Sequence, residues 1–458
     1  MAKSRRDIRV LVVAEHASSL YGGESILPLH IFRGLRRGGI EAWLVVHDRT
    51  RPELEAEFPT ELDRIHFIPE TSIHRLLHRL GKRLPDRINY LTTGLFIRLL
   101  TQRSARQVVR RLVVEHTVDV VHQPIPVSPR EPSLMYEVGA PVLMGPLNGG
   151  MTYPDAFQGR QSHLVSSLLH LARRVSDLAH RLVPGKLHAE MLLVANDRTR
   201  EALPDCVRGE VRTMIENGVD LSIWRPASGG LADDSRAHFV FVGRLIDCKA
   251  VDLLLEAFRE VLARTPATLD VAGDGPLRRR WEARSKELGL DGAVRFLGWV
   301  VQEDCAELLR RSDVLVLPSL HECGGAVVLE AMATALPVIA ANWGGPADYL
   351  DGSCGILVDP SSRTAFVEGL ARAMTLLATN PDLRRELGQA GRKRVARDFE
   401  WEKKIEDLLE IYERMIRSKP PPPPEFSAPI PVPATRDPVG RLAPAGPRGN
   451  TPSLGGGG

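Results

Sequence analysis

Cysteine is scarce in this 458-residue chain. There are five (Cys206, Cys248, Cys305, Cys323, Cys354), an odd number, widely spaced and without a Cys-x-x-Cys. That pattern argues against a disulfide framework or a zinc ribbon and fits a reducing cytoplasm. Long apolar runs are missing as well. No stretch reaches the ~18 residues that a membrane-spanning helix needs. Residues 8–14 follow a basic patch, as the core of a signal peptide does. They contain Arg9 and run into Glu15-His16, so a first buried strand is expected there instead. Neither sign of charge is in excess: 60 Lys and Arg stand against 57 Asp and Glu, a net of +3. Such balance gives no case for a dedicated nucleic-acid binder, and no nucleic-acid partner is expected. No Gly-x-Gly-x-x-Gly follows a strand and no Gly-x-x-x-x-Gly-Lys-Ser/Thr occurs. A dinucleotide dehydrogenase and a P-loop nucleotidase are therefore poorly supported.

What is present is an alternation of short apolar runs with longer amphipathic segments. Residues 8–14, 42–46, 118–122 and 141–144 read as strands, as do 239–242, 267–271, 314–317 and 338–340. Their apolar runs are continuous, which suggests strands buried on both faces of a parallel sheet. Stretches such as 251–264 and 326–334 read as the helices of βαβ units. The pattern runs twice, so an α/β chain of two doubly wound, Rossmann-like domains facing across a cleft is expected. The first domain spans 1–222, a linker 223–236 and the second domain 237–400. A last helix at 401–418 is expected to return to the first domain. Residues 419–458 hold twelve of the 34 prolines, five of them consecutive, and end in four glycines. This tail has little to bury and is expected to be disordered or polyproline-like.

Three pieces of the second domain carry chemistry. Gly243-Arg244 to Lys249 follows a strand, and two cations five residues apart there suit a diphosphate. A solvated surface loop is the plainer reading of that piece alone. Gly273-Asp274-Gly275-Pro276 follows the next strand and either admits a ligand to the backbone or simply makes a tight turn. The third piece is the most telling. A buried strand ends at Pro318, a loop carries Glu322, and Gly324-Gly325 open a helix at Ala326 that holds Glu330. Free amides at a helix start bind phosphate, and a carboxylate accepts strong hydrogen bonds from sugar hydroxyls.

With these pieces in this order, the sequence resembles the retaining, nucleotide-sugar-dependent glycosyltransferases of family four, which have the GT-B fold. The resemblance rests on Glu322 and Glu330 with seven residues between them, Arg244 with Lys249, the Gly273–Pro276 turn and Asn217-Gly218-Val219-Asp220. Tyr21-Gly22-Gly23-Glu24 matches the glycine-rich loop of that group, and coverage runs from about Ile8 to Arg417. The resemblance implies that Arg244 and Lys249 bind the donor diphosphate and that Glu330 holds the nucleotide ribose. It implies that Glu322 contacts the donor sugar with backbone at Gly324, Gly325 and Ala326, while the Gly22-Gly23 loop closes over the phosphates. Gly243, Gly273 and Asp274 complete the expected donor site. His122 is expected beside Glu322, Arg244 and Lys249 in the catalytic set, and Glu24 and Asn148 on the acceptor side. A buried structural histidine and an ordinary turn are the plainer readings of His122 and Asn148. Two positions depart from the family pattern: Glu322-Cys323-Gly324-Gly325 replaces Glu-Gly-Phe-Gly, and Pro124 stands where relatives often carry a second histidine.

No Asp-x-Asp pair, common in metal-dependent sugar transferases, is present. The expected reaction therefore uses no metal and no cofactor beyond the nucleotide-sugar as co-substrate. Ten Lys and Arg against two Asp and Glu between His74 and His116, with interspersed leucines, read as a basic amphipathic surface. It would suit an anionic membrane and a lipid-linked acceptor, or else be a solvated helix packed on its own core. The expected function is transfer of sugar to a saccharide or glycolipid acceptor in cell-surface polysaccharide or glycolipid synthesis. The expected location is the cytoplasm, peripheral on the inner face of the plasma membrane. A GT-B epimerase and a non-catalytic sugar-nucleotide-binding scaffold are the alternatives.

Overall fold

In the computed structural model of the chain, residues 5–20, 23–84, 89, 92–160, 178–227 and 236–418 are described. The expected tail at 419–458, Tyr21-Gly22 and most of the expected linker lie outside them. Thirteen strands among the described residues form two wholly parallel sheets. The first holds β1 (Arg9–Val13), β2 (Glu41–His47), β3 (Ile65–Ile68), β4 (Val120–Gln123), β5 (Val142–Leu147), β6 (Met191–Val194) and β7 (Glu210–Thr213). Their order is β3-β2-β1-β4-β5-β6-β7. The second holds β8 (Ala237–Val242), β9 (Ala267–Ala272), β10 (Val294–Gly298), β11 (Val314–Leu317), β12 (Val338–Ala341) and β13 (Gly355–Val358), in the order β10-β9-β8-β11-β12-β13. Each sheet thus reverses direction of growth beside its first strand, at β1/β4 and at β8/β11. Ligands of doubly wound folds bind beyond the carboxyl ends of the strands at such a reversal.

The continuous apolar runs have a direct cause. Val10 and Val12 of β1 face a core shared with Leu29 and Phe32, whereas Leu11 and Val13 face a second core with Val109 and Leu112. Helices cover both faces, so alternation disappears. All eight expected strands are present. Five more, β3, β6, β7, β10 and β13, were not legible as strands. Each has four or five residues. β3, β7 and β10 interleave polar residues, and β3, β7, β10 and β13 are sheet-edge strands. Little apolar surface is needed to hold an edge.

The Trp401–Ser418 helix lies on the first sheet, not on the second. Ile405, Leu408, Tyr412 and Met415 join the core of Val10 and Val12. Trp401 stacks on His30 with ring centroids 4.5 Å apart. Gly34 makes room for this helix, because a Cβ there would strike Ile405.

His122, expected in the catalytic set, is corrected by this packing. It is fully buried at the end of β4. One ring nitrogen, Nε2, lies 2.6 Å from the Gly145 carbonyl, and Nδ1 lies 2.6 Å from the Tyr412 hydroxyl. Burial holds its pKa down at about 4, so the ring is neutral, donates from Nε2 and accepts at Nδ1. No atom remains for a substrate, and the residue pins the last helix to the first sheet. Tyr412→Phe should leave Nδ1 buried without a donor and cost about 1–3 kcal/mol. Urea unfolding should register that loss, while nucleotide affinity should stay unchanged.

Candidate functional site

The ends of β8, β9 and β10 are drawn together by backbone. Gly243 N–H donates to the Ala272 carbonyl at 3.0 Å, and Gly273 N–H donates to the Gly298 carbonyl at 2.7 Å. Gly273 has φ +132°, and a Cβ there would overlap the Gly243 carbonyl. A Cβ at Gly275 would press on the Leu245 backbone. Asp274 is exposed, but its carboxylate accepts from the Gly275 N–H at 2.7 Å and pairs with Arg278 at 3.5 Å, and its backbone carbonyl accepts from Leu245 N–H at 2.9 Å. The motif therefore serves as a tight turn that supports the Arg244 loop. Arg244 itself is exposed and makes no ion pair or side-chain hydrogen bond among the described residues. A guanidinium with no anionic neighbour at the mouth of β8 is a ready anion ligand.

Lys249 closes the following turn, and Ala250, with φ +52°, starts the Val251–Leu262 helix. The Lys249 ammonium is paired with the Glu322 carboxylate. Both side chains are mostly buried, at 16% and 15% exposure. The loops after β8 and β11 are thus clasped by the two residues expected to touch opposite parts of one ligand. Leu320 N–H donates to the Cys248 carbonyl at 2.8 Å and adds a second clasp. Gly325 caps the Ala326–Ala333 helix with φ +91°, which an L side chain would resist. Glu330 follows one turn on. Part of its surface is open, but protein surrounds the carboxyl, and the lost hydration pushes it up to about 7. Burial and the neighbouring Glu322 push the Cys323 thiol up to about 11, so it is not a thiolate.

Asn148 is not available to an acceptor. Its side-chain nitrogen donates to Glu216 Oε1 at 2.6 Å and to the Cys323 carbonyl at 3.0 Å. It is buried and joins the loop after β5 to the loop after β11. Arg198 and Asn196 reach Asp348 across the same seam, at 2.7 and 2.9 Å. The segment after Gly150 crosses over too: Trp343 Nε1 donates to the Thr152 carbonyl at 2.8 Å, and Phe157 sits in the core of the second sheet. This seam also accounts for one departure from the family pattern. A Cβ at Gly324 would overlap Glu216 and Asn217, so an aromatic side chain at that position has no room.

On the other sheet, Gly23 opens a short turn with φ +57°, and Glu24 accepts from the Val127 N–H at 3.2 Å. Glu24 is an exposed residue, yet crowding of its carboxyl raises its pKa. Gly22 lies outside the described residues. Two residues that sequence reasoning passed over stand at the end of β1, at the reversal. Glu15 lies 3.5 Å from His16 and 3.8 Å from Arg49. Burial pushes Glu15 up to about 7 and His16 down to about 4. A perturbed carboxyl in such a crevice is a functional candidate. The available signal was their place directly after the first buried strand. Among the described residues no three His, Cys, Asp or Glu side chains gather as a metal-binding group.

The raised Glu330 value has a stability consequence. The unfolded chain releases this proton near 4.5, the folded chain near 7. Stability from keeping the carboxyl neutral is therefore full below about 4.5 and is lost as pH rises through about 7. Glu330→Gln should melt close to wild type near pH ~5 and higher than wild type near pH ~8, as followed by circular dichroism.

Comparison with known proteins adds a family to this geometry. Residues 228–394 match the family described as glycosyl transferases group 1. D-inositol 3-phosphate glycosyltransferase of Nocardioides sp. is 34% identical over 226 residues, 44% of this chain and 48% of that protein. Alpha-maltose-1-phosphate synthase of Mycolicibacterium smegmatis is 34% identical over 235 residues, 48% of this chain and 59% of that protein. The chain spans about half the length of the curated relatives it matches. Among solved structures, sucrose-phosphate synthase of Thermosynechococcus elongatus superposes with a TM-score of 0.60 at 18% identity, covering 90% of this chain and all of that one. A glycosyltransferase of Rickettsia africae gives 0.62 at 16% identity, again over 90% of this chain and all of that one. At such identities the likeness is one of fold. Two parallel sheets of one strand order and the likeness to these solved structures lead to one conclusion: this chain has the α/β GT-B fold, and its residues 228–394 match the group 1 glycosyltransferases.

Proposed function

We propose that the chain is a retaining glycosyltransferase that moves a sugar from a nucleotide-sugar donor to a saccharide or glycolipid acceptor. Its setting is cell-surface polysaccharide or glycolipid synthesis at the inner face of the plasma membrane. The observation that carries the reading is the convergence at the β8/β11 reversal of a free Arg244, the Lys249–Glu322 pair and a glycine-capped helix bearing Glu330. The relatives named D-inositol 3-phosphate glycosyltransferase and alpha-maltose-1-phosphate synthase, each 34% identical over about half of this chain, support it.

The roles follow from charge. Breaking the bond between the anomeric carbon and the diphosphate builds negative charge on the leaving group. Arg244, Lys249 and the amides at the start of the Ala326–Ala333 helix are cationic or partly positive, and they stabilise that charge as it develops. Glu322, held by Lys249, accepts hydrogen bonds from donor-sugar hydroxyls, and Glu330 accepts them from the ribose. The acceptor oxygen bonds to the anomeric carbon on the face the diphosphate leaves, and its proton passes to a leaving phosphate oxygen. This scheme uses no divalent ion and no cofactor. His122 has no part in it.

The test is a thermal-shift screen against UDP, GDP, ADP and TDP, with and without attached sugars. A ligand at ~100 times its dissociation constant should stabilise the fold by about 2.7 kcal/mol. One nucleotide should shift wild type, and Glu330→Ala should lose that shift. Arg244→Ala should weaken binding roughly 10- to 100-fold, the size of one lost charge-assisted hydrogen bond, and leave ligand-free melting unchanged. Retention is read from the anomeric configuration of the product by NMR. A well-folded protein that no nucleotide shifts would overturn the proposal in favour of a non-catalytic scaffold.

A further inference from the structure

The Ser72–Gly81 helix carries an apolar arc that its own fold covers only in part. Its inner edge is buried: His74 Nε2 lies 3.2 Å from the Thr101 hydroxyl of the Thr93–Glu115 helix, and Gly81 abuts Thr93. Beside that edge, Ile73, Leu76 and Leu80 are 56%, 56% and 46% exposed. Spacings of three and four residues put them on one stripe of a 3.6-residue helix. Leu84 continues the stripe past the helix end, and Phe96 stands exposed on the neighbouring helix. A continuous exposed apolar row of this kind is unusual on a soluble surface and marks a contact site.

The charges beside the stripe name the partner. Arg75, Arg79, Lys82 and Arg83 are all exposed, and none of them makes an ion pair among the described residues. No acidic residue occurs from Ser72 to Leu84. Apolar side chains along one line with long cationic ones on its flank fit a bilayer interface, where the leucines enter the acyl boundary and the cations reach anionic headgroups. A second copy of the chain would bring the same positive face against itself and be repelled.

We propose that the exposed face of the Ser72–Gly81 helix, with Leu84 and Phe96, docks the protein on an anionic phospholipid bilayer. The inference deepens the membrane setting of the proposed function, on which it rests for its purpose. Its test needs no donor or acceptor, so the two fail separately. The full chain is sedimented with vesicles of phosphatidylcholine alone or mixed with phosphatidylglycerol. Wild type should pellet with the anionic vesicles, at least ~10-fold more strongly than with neutral ones, and raised salt should weaken that binding. Leu76→Glu/Leu80→Glu should lose binding at least ~10-fold, and Arg79→Glu/Arg83→Glu should lose the preference for phosphatidylglycerol. These side chains are exposed, so all variants should melt as wild type does. Wild type that stays in the supernatant, that binds neutral vesicles equally, or whose binding survives Leu76→Glu/Leu80→Glu would overturn the proposal. Self-association of wild type that the same leucine variant abolishes, without vesicle binding, would assign the face to a second copy instead.

Discussion

Glu216 is the carboxylate around which the candidate site is assembled. Its Oε1 accepts from Asn148 at 2.6 Å and from Asn217 at 2.9 Å, and Asn217 donates in turn to the Tyr349 hydroxyl at 2.8 Å. Asn148 also holds the Cys323 carbonyl, one residue from Glu322. A single buried knot therefore sets the loop after β11 against loops of the first sheet. Burial raises the Glu216 pKa, although the hydrogen bond from Asn148 opposes the shift. In a low-dielectric seam such a knot is strong when satisfied and costly when cut. Gly324 has no side chain because the knot occupies that space.

The knot works only because both sheets deliver their loops to it. Each sheet is parallel, so every strand ends on the same side, and each reverses order beside its first strand. Segments after β5 and β6 therefore meet those after β8, β11 and β12 across one seam. The last helix adds a further tie. It follows the second sheet in sequence but buries Tyr412 against His122 of the first. The site consequently depends on contacts between residues far apart in the chain, such as Asn148 with Cys323.

Electrostatically the two sides of the seam differ. On the second sheet Arg244 stands open to solvent with no ion pair among the described residues, and Lys249 is balanced by Glu322. On the first sheet Glu15 is held near neutrality in pH by burial, with Arg49 opposing the shift. An anion is attracted to one side, and a group rich in hydroxyls suits the other. In the proposed transfer the diphosphate leaves the second-sheet wall and an alcohol approaches from the first.

The sequence by itself determined the fold class and eight of the thirteen strands among the described residues. Strands covered on both faces must be apolar throughout, and helix-opening glycines are required by positive φ at Gly325, so both leave a local imprint. Edge strands such as β3 and β7 leave little imprint, since they bury less. Tertiary structure alone decided what His122 and Asn148 do. Each is a polar residue at a strand end, where a structural bond and a ligand contact need the same chemistry. Only the partners tell the two apart: Tyr412 for His122 and Glu216 for Asn148. Those partners lie 290 and 68 residues away in the chain, beyond the reach of any local pattern.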